Sequence, residues 1–92
     1  VTDLNSPSPL LQPFPNPASA ITCIPLHLTR AMKGQLFLTN SLGQRAMVIH
    51  DGDFRVGNHK HFFNAQDLSA GAYLLTLDLN NGQRWTEHLM IR

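Results

Sequence analysis

At 92 residues, 42% of them hydrophobic and 8% aromatic, the chain carries enough apolar side chain for one modest core and no second domain. Seven Lys and Arg against six Asp and Glu leave a formal charge of +1, and the scatter of these charges excludes the basic footprint of a nucleic-acid or anionic-membrane binder. Charged residues make up only 14%, below the roughly 25% of an ordinary soluble domain, so solubility rests on Asn, Gln, Ser, Thr and His, a balance suited to extracytoplasmic proteins.

All six prolines lie between Pro7 and Pro25, and all six glycines between Gly34 and Gly82. Residues 1–13 read as an extended linker, since prolines and serines stand among a few leucines with no period. Val1-Thr2-Asp3-Leu4 lacks the basic start and apolar run of a secretory signal, and no stretch reaches the ~18 apolar residues of a membrane-crossing helix. The sequence therefore reads as a piece of a longer protein. Pro13-Phe14-Pro15-Asn16-Pro17 then fixes φ at every second position and biases Phe14 and Asn16 to extended geometry, a stiff entry into the domain at residues 14–92.

From Ala20 the apolar period becomes two. Thr22, Ile24, Leu26 and Leu28 share one face of a first strand, with Ile21, Cys23, Pro25 and His27 on the other. Pro25 cannot donate to a ladder, which places this strand at an edge or a bulge. Gln35 to Thr39 forms a second strand with Leu36 and Leu38 inward. Asn40-Ser41-Leu42-Gly43 is a type I turn signal with Asn first and Gly last, and a third strand runs from Arg45 to His50. Asp51-Gly52-Asp53 marks a reversal, Phe54 to Val56 a short strand, and Gly57-Asn58 a further turn.

His59 to Asn64 follows as a strand with His61 and Phe63 on one side. Asp67-Leu68-Ser69-Ala70-Gly71 turns the chain into the strongest strand, Ala72 to Leu79, where Tyr73, Leu75, Leu77 and Leu79 face one way. For the last hairpin, a two-residue Asn81-Gly82 loop sets Leu79 opposite Arg84 and Asp78 opposite Trp85. A three-residue Asn80-Asn81-Gly82 loop, with Gly82 left-handed, sets Leu77 opposite Trp85, Tyr73 opposite Leu89 and Asp78 opposite Arg84. The second register pairs apolar with apolar and charge with countercharge, and is preferred. No window holds a helical period with start and stop signals. Six to seven short strands at spacings of about 8–12 residues make the fold all-β, an antiparallel β-sandwich.

Four motifs come in a fixed order: Pro15-Asn16-Pro17-Ala18-Ser19 before the first strand, Leu42-Gly43-Gln44 after the second, Leu68-Ser69-Ala70-Gly71-Ala72-Tyr73 entering the penultimate strand, and a final apolar strand Leu89-Met90-Ile91-Arg92. Together they resemble the C-terminal sorting domain of cargo proteins exported by the type IX secretion system of Bacteroidetes, over about Phe14 to Arg92. The sequence departs from that pattern at Ala20, where many members carry Asp, and at His88, where many carry Lys. The resemblance implies an immunoglobulin-like sandwich without enzymatic activity or cofactor, joined to an N-terminal cargo domain. It further implies recognition by the outer-membrane translocon and its shuttle protein, then removal by a sortase-like protease cutting in the linker, with passage through the periplasm to the cell surface or the medium.

The recognition candidates are accordingly Pro15, Asn16, Pro17, Ala18, Gly43, Gly71, Tyr73, Leu89, Met90, Ile91 and Arg92. The bland alternative for each is a role in folding. Gly43 and Gly71 supply backbone shapes denied to residues with a Cβ, and Tyr73 offers an apolar ring with a polar tip at the rim of the core. The terminal strand, as an edge, invites β-strand addition or burial in a barrel lumen.

Competing chemistry finds less support. Cys23, the lone cysteine, and His27 share one strand face but lie about 13 Å apart at ~3.3 Å per residue, too far for a thiolate–imidazole pair. His59 and His61, with His50, Asp51 and Asp53 nearby, invite a metal reading, yet no Cys pair or helical His-Glu motif supports it, and these histidines read as surface residues. Asp51-Gly52-Asp53 fails as a calcium loop because Arg55 and Gly57 occupy the next ligand positions. With Glu87 the lone glutamate and no nucleophile elbow, a hydrolase is not indicated. The alternative function is a carbohydrate-binding or adhesive sandwich, with Trp85, Phe54, Phe62 and Phe37 as a stacking platform. Two or more coplanar exposed rings would favour it.

Overall fold

The computed structural model describes residues 9–10, 12–15 and 19–92. Six strands follow one another: β1 Ile21–Leu28, β2 Met32–Asn40, β3 Arg45–Phe54, β4 Gly57–Asn64, β5 Gly71–Leu79 and β6 Arg84–Ile91. They form two antiparallel sheets, a pair β1-β4 and a four-stranded sheet in the order β3-β2-β5-β6. The chain crosses between the sheets after β1, β3 and β4 and turns back within a sheet after β2 and β5. The architecture is the antiparallel β-sandwich that the period-two pattern anticipates.

Alternation decides what is buried. Ile24, Leu26 and Leu28 of β1 and Phe63 of β4 meet Leu36 and Leu38 of β2, Leu75, Leu77 and Leu79 of β5, and Leu89 and Ile91 of β6 in one core. Burying each such side chain contributes about 1.5–3 kcal/mol of transfer free energy. The last hairpin takes the three-residue loop: Leu77 lies opposite Trp85, Tyr73 opposite Leu89 and Asp78 opposite Arg84. The Asp78 and Arg84 side chains close to 2.8 Å.

The chain ahead of β1 runs along its outer side. Phe14 and Cys23 exchange two backbone hydrogen bonds of 3.0 and 2.8 Å, and the His27 N–H donates to the Pro9 carbonyl at 2.8 Å. The N–H groups of residues 23 and 27 thus point away from β4, and Pro25, of the same parity, has its missing donor on that side. The β1–β4 ladder, in which Pro25 lies opposite Lys60, loses nothing to it. Leu10 bridges to Leu26 and is buried in the core, and Pro13 is buried as well. Both belong to the stretch read from sequence as linker.

The third strand departs from the sequence reading. Asp51-Gly52-Asp53 does not reverse the chain; β3 runs through it to Phe54, with Gly52 opposite Gly34, and no separate strand forms at Phe54 to Val56. Two bulges explain this. Partners of β2 step from His50 to Val48 and from Met47 to Arg45, leaving Ile49 and Ala46 as extra residues that break the period of two. An outer strand also tolerates Gly and Asp, because among the described residues one of its sides makes no ladder. The reversal comes at Arg55 and Val56, and Gly57 opens β4. A 3-10 turn at Ala65–Asp67, capped by the Asn64 side chain accepting from the Gln66 N–H, completes the elements.

Candidate recognition strand

The C-terminal strand β6 is the outer strand of the four-stranded sheet beside β5. Its side chains alternate: Leu89 and Ile91 are buried, whereas Thr86, His88, Met90 and the following Arg92 are exposed. The terminal motif therefore divides into two pairs. Leu89 and Ile91 complete the core, and Met90 and Arg92 present one thioether and one guanidinium to the exterior.

Several other candidates gather at the same end of this sheet. Asn40 of β2 lies opposite Tyr73 of β5, which lies opposite Leu89 of β6, and Gly71 lies opposite Ile91. The Tyr73 ring is buried and its hydroxyl donates to the Ser69 carbonyl at 2.7 Å. A tyrosine bonding the backbone a few residues upstream is the corner found in immunoglobulin-like sandwiches. Gly43 closes the β2–β3 hairpin in the left-handed region at φ 81°, and its N–H donates to the Asn40 carbonyl at 3.0 Å. The Asn40 side-chain oxygen also accepts from the N–H groups of Leu42 and Gln44 at 2.9 and 3.0 Å. These contacts give Gly43 and Tyr73 clear work in holding the fold.

The proline entry is elsewhere. Pro15 is exposed and follows Phe14 on the outer side of the β1–β4 sheet, and Asn16, Pro17 and Ala18 lie outside the described residues. Ser19 and Ala20 are exposed, and the Ala20 carbonyl accepts from the Ala65 N–H at 3.0 Å.

The aromatic platform does not form. Phe54 is buried in the core, and Trp85 packs against it. Phe37 is covered by the Arg45 guanidinium, 3.9 Å from the ring centroid. Of the four rings, Phe62 alone is exposed, so the carbohydrate-binding alternative lacks its stacking surface. Cys23 is buried between Phe14 and Phe62, its strand neighbours on either side. The His27 Nδ1 bonds to the Asn58 side-chain oxygen at 2.5 Å, across the β1–β4 ladder.

The histidines require a correction. His59 and His61 are not surface residues: both are half-buried on the inward face of β4 in line with Phe63, and the Nε2 atom of each is buried without a hydrogen-bond partner. Desolvation by burial lowers the pKa of His61, and the neighbouring His50 and His59 lower it further. Among the described residues, no three His, Cys, Asp or Glu side chains are arranged to hold a metal ion.

Two structural residues escape the sequence reading. Gly34 sits where β2 presses on β5, and a Cβ there would collide with the Asp78 carbonyl. A lone glycine inside an alternating strand is the signal for such a close approach. Leu10 had no signal, because it belongs to no periodic segment. In comparison with known proteins, residues 12–92 match the family model described as secretion system C-terminal sorting domain. No curated protein and no solved structure matches the chain.

Proposed function

Because the chain belongs to the secretion system C-terminal sorting domain family, we propose that it is a non-catalytic address domain that carries an N-terminal cargo through the outer membrane by type IX secretion. The match over residues 12–92 is the observation that carries this reading. The fold supplies its physical form. A packed sandwich holds the last strand in a fixed register, so that Met90 and Arg92 always stand on the same outward face beside His88. The outer-membrane translocon and its shuttle protein read that face and the chain end together. Capture of the terminal strand through the side chains it turns outward is the mode we favour.

The proline entry and the turns at Gly43 and Gly71 serve mainly to hold this presentation. Cleavage by a sortase-like protease falls N-terminal to Pro9, because Pro9 and Leu10 are already tied to β1. The cargo then stays at the cell surface or is released.

The test separates folding from recognition. A reporter cargo carrying this domain is exported with Met90→Asp and Arg92→Ser introduced together, and with Leu89→Ala alone. The first variant should fold normally yet leave the reporter in the periplasm; the second should lower delivery only as far as it lowers the stability of the fold. Normal surface delivery of a folded Met90→Asp/Arg92→Ser cargo would sink the proposal. Mass spectrometry of the delivered reporter's new C-terminus locates the cut, and a terminus beyond Pro9 would overturn its placement.

A further inference from the structure

Three imidazoles from two different sheets meet at one place. His50 comes from β3 of the four-stranded sheet, and His59 and His61 come from β4 of the two-stranded one. The His61 ring centroid lies 4.9 Å from that of His50 and 5.7 Å from that of His59. Phe54 packs edge-on against both strands' rings, 4.6 Å from His50 and 5.6 Å from His61. The His50 Nε2 lies 2.7 Å from the Asp53 carbonyl. A carbonyl only accepts, so that nitrogen carries a hydrogen.

The strands that face these rings are apolar. On the strands alongside, Ile24 lies opposite His61, Leu26 opposite His59 and Leu36 opposite His50. Charged groups around the cluster are Asp51 and Asp53 of β3, Arg55 of the following turn and Lys60 of β4. Asp51 accepts from the Gln35 amide at 3.2 Å. Among the described residues the ion pair is Arg84–Asp78, so no described carboxylate oxygen stands within 4 Å of a nitrogen of the three rings. The buried Nε2 atoms of His59 and His61 have no acceptor either.

We propose that His61, packed between His50 and His59, is an acid-sensitive latch between the two sheets, closed while its ring is neutral and opened by its protonation. Neutral rings pack edge-on around Phe54 as ordinary aromatic filling. A proton on His61 creates a charge in a half-buried position beside Phe54 and Ile24, where its Nε2 has no acceptor. The strain falls on the seam between β3 and β4, which joins the sheets, and it is relieved when the β1–β4 pair moves off the four-stranded sheet. The latch is independent of the secretion reading.

The direction with pH follows from linkage. The pKa of His61 is lowered in the folded chain, by desolvation first and then by His50 and His59. The unfolded chain therefore takes up this proton first as the pH falls. Stability is full above the ordinary imidazole value of about 6.5 and declines as the pH drops below it toward the lowered value.

Urea unfolding of the 92-residue chain at pH 7.5 and 5.0 tests this, with amide hydrogen exchange at both values. The wild type should lose at least fivefold in its folded-to-unfolded ratio at the lower pH, about 1 kcal/mol, and exchange protection should fall first in β4 and β1. His61→Phe, which keeps a ring and removes the titration, should lose less than twofold. His27→Gln should behave as the wild type. Equal losses in His61→Phe and wild type, no loss in wild type, or protection falling evenly in both sheets would each overturn the latch. Should His61→Phe fail to fold at pH 7.5, the wild-type exchange pattern alone decides.

Discussion

Truncating two adjacent residues of the last strand should have opposite consequences. Leu89 is 2% exposed and faces Tyr73 across the β5–β6 ladder, whereas Met90 is 46% exposed and points out of the sandwich. Leu→Ala at a buried site costs about 2–5 kcal/mol, from lost transfer free energy and the cavity left behind. A chain of this length has a total stability of about 5–14 kcal/mol, so Leu89→Ala removes a large share of it. Met90→Ala, on the solvent face, should stay within about 0.5 kcal/mol. Urea titration followed by Trp85 emission reads both: at a slope of about 1–1.5 kcal/mol per molar, Leu89→Ala moves the midpoint by roughly 1.3–5 M and Met90→Ala by no more than about 0.5 M. Equal midpoints for the two variants would refute the register from which the argument starts. The result also bears on export. Deleting Leu89 to Arg92 takes Leu89 and Ile91 out of the core together, so an export defect after that deletion reports on folding as much as on recognition.

Tyr73→Phe should cost about 1–2 kcal/mol in the same titration, since it removes the 2.7 Å bond to the Ser69 carbonyl and leaves a part-buried acceptor unpaired; a change under 0.3 kcal/mol would show that water replaces it. Gly34→Ala should destabilise by about 1–3 kcal/mol, because the added methyl meets the Asp78 backbone as well as Leu79, and backbone yields less readily than a side-chain tip. Leu10→Ala should cost about 2–4 kcal/mol, as its side chain is 2% exposed within the core; a cost below 0.5 kcal/mol would return that residue to the tether.

What could be read from the sequence was what depends on local pairing. The β5–β6 register follows from loop length and from matching Leu77 with Trp85 and Asp78 with Arg84, all within one hairpin. The faces of β1 and β5 follow from unbroken alternation. The third strand was illegible because its bulges at Ile49 and Ala46 scramble the period and its Asp-Gly-Asp segment imitates a turn. Leu10 was missed because its contact with Leu26 spans a stretch without periodicity. Of the histidine cluster, His59 and His61 could be placed inward by their parity with Phe63. His50 joins them only through the chain crossing between sheets, which no spacing encodes. Among the recognition candidates, the inward role of Leu89 and Ile91 and the outward one of Met90 and Arg92 follow from the same register, because Leu89 lies opposite the core-facing Tyr73.

The irregular third strand has a consequence for crowding. A flat, regular strand bordering a sheet is a template on which a second copy can build, and continued addition leads to aggregates. In β3 two extra residues twist the border, Gly52 stands at φ 129°, and Asp51 and Asp53 flank it with negative charge. A neighbouring copy would find neither matching spacing nor a charge-free line of backbone. Strand addition by a second copy is therefore disfavoured along this side.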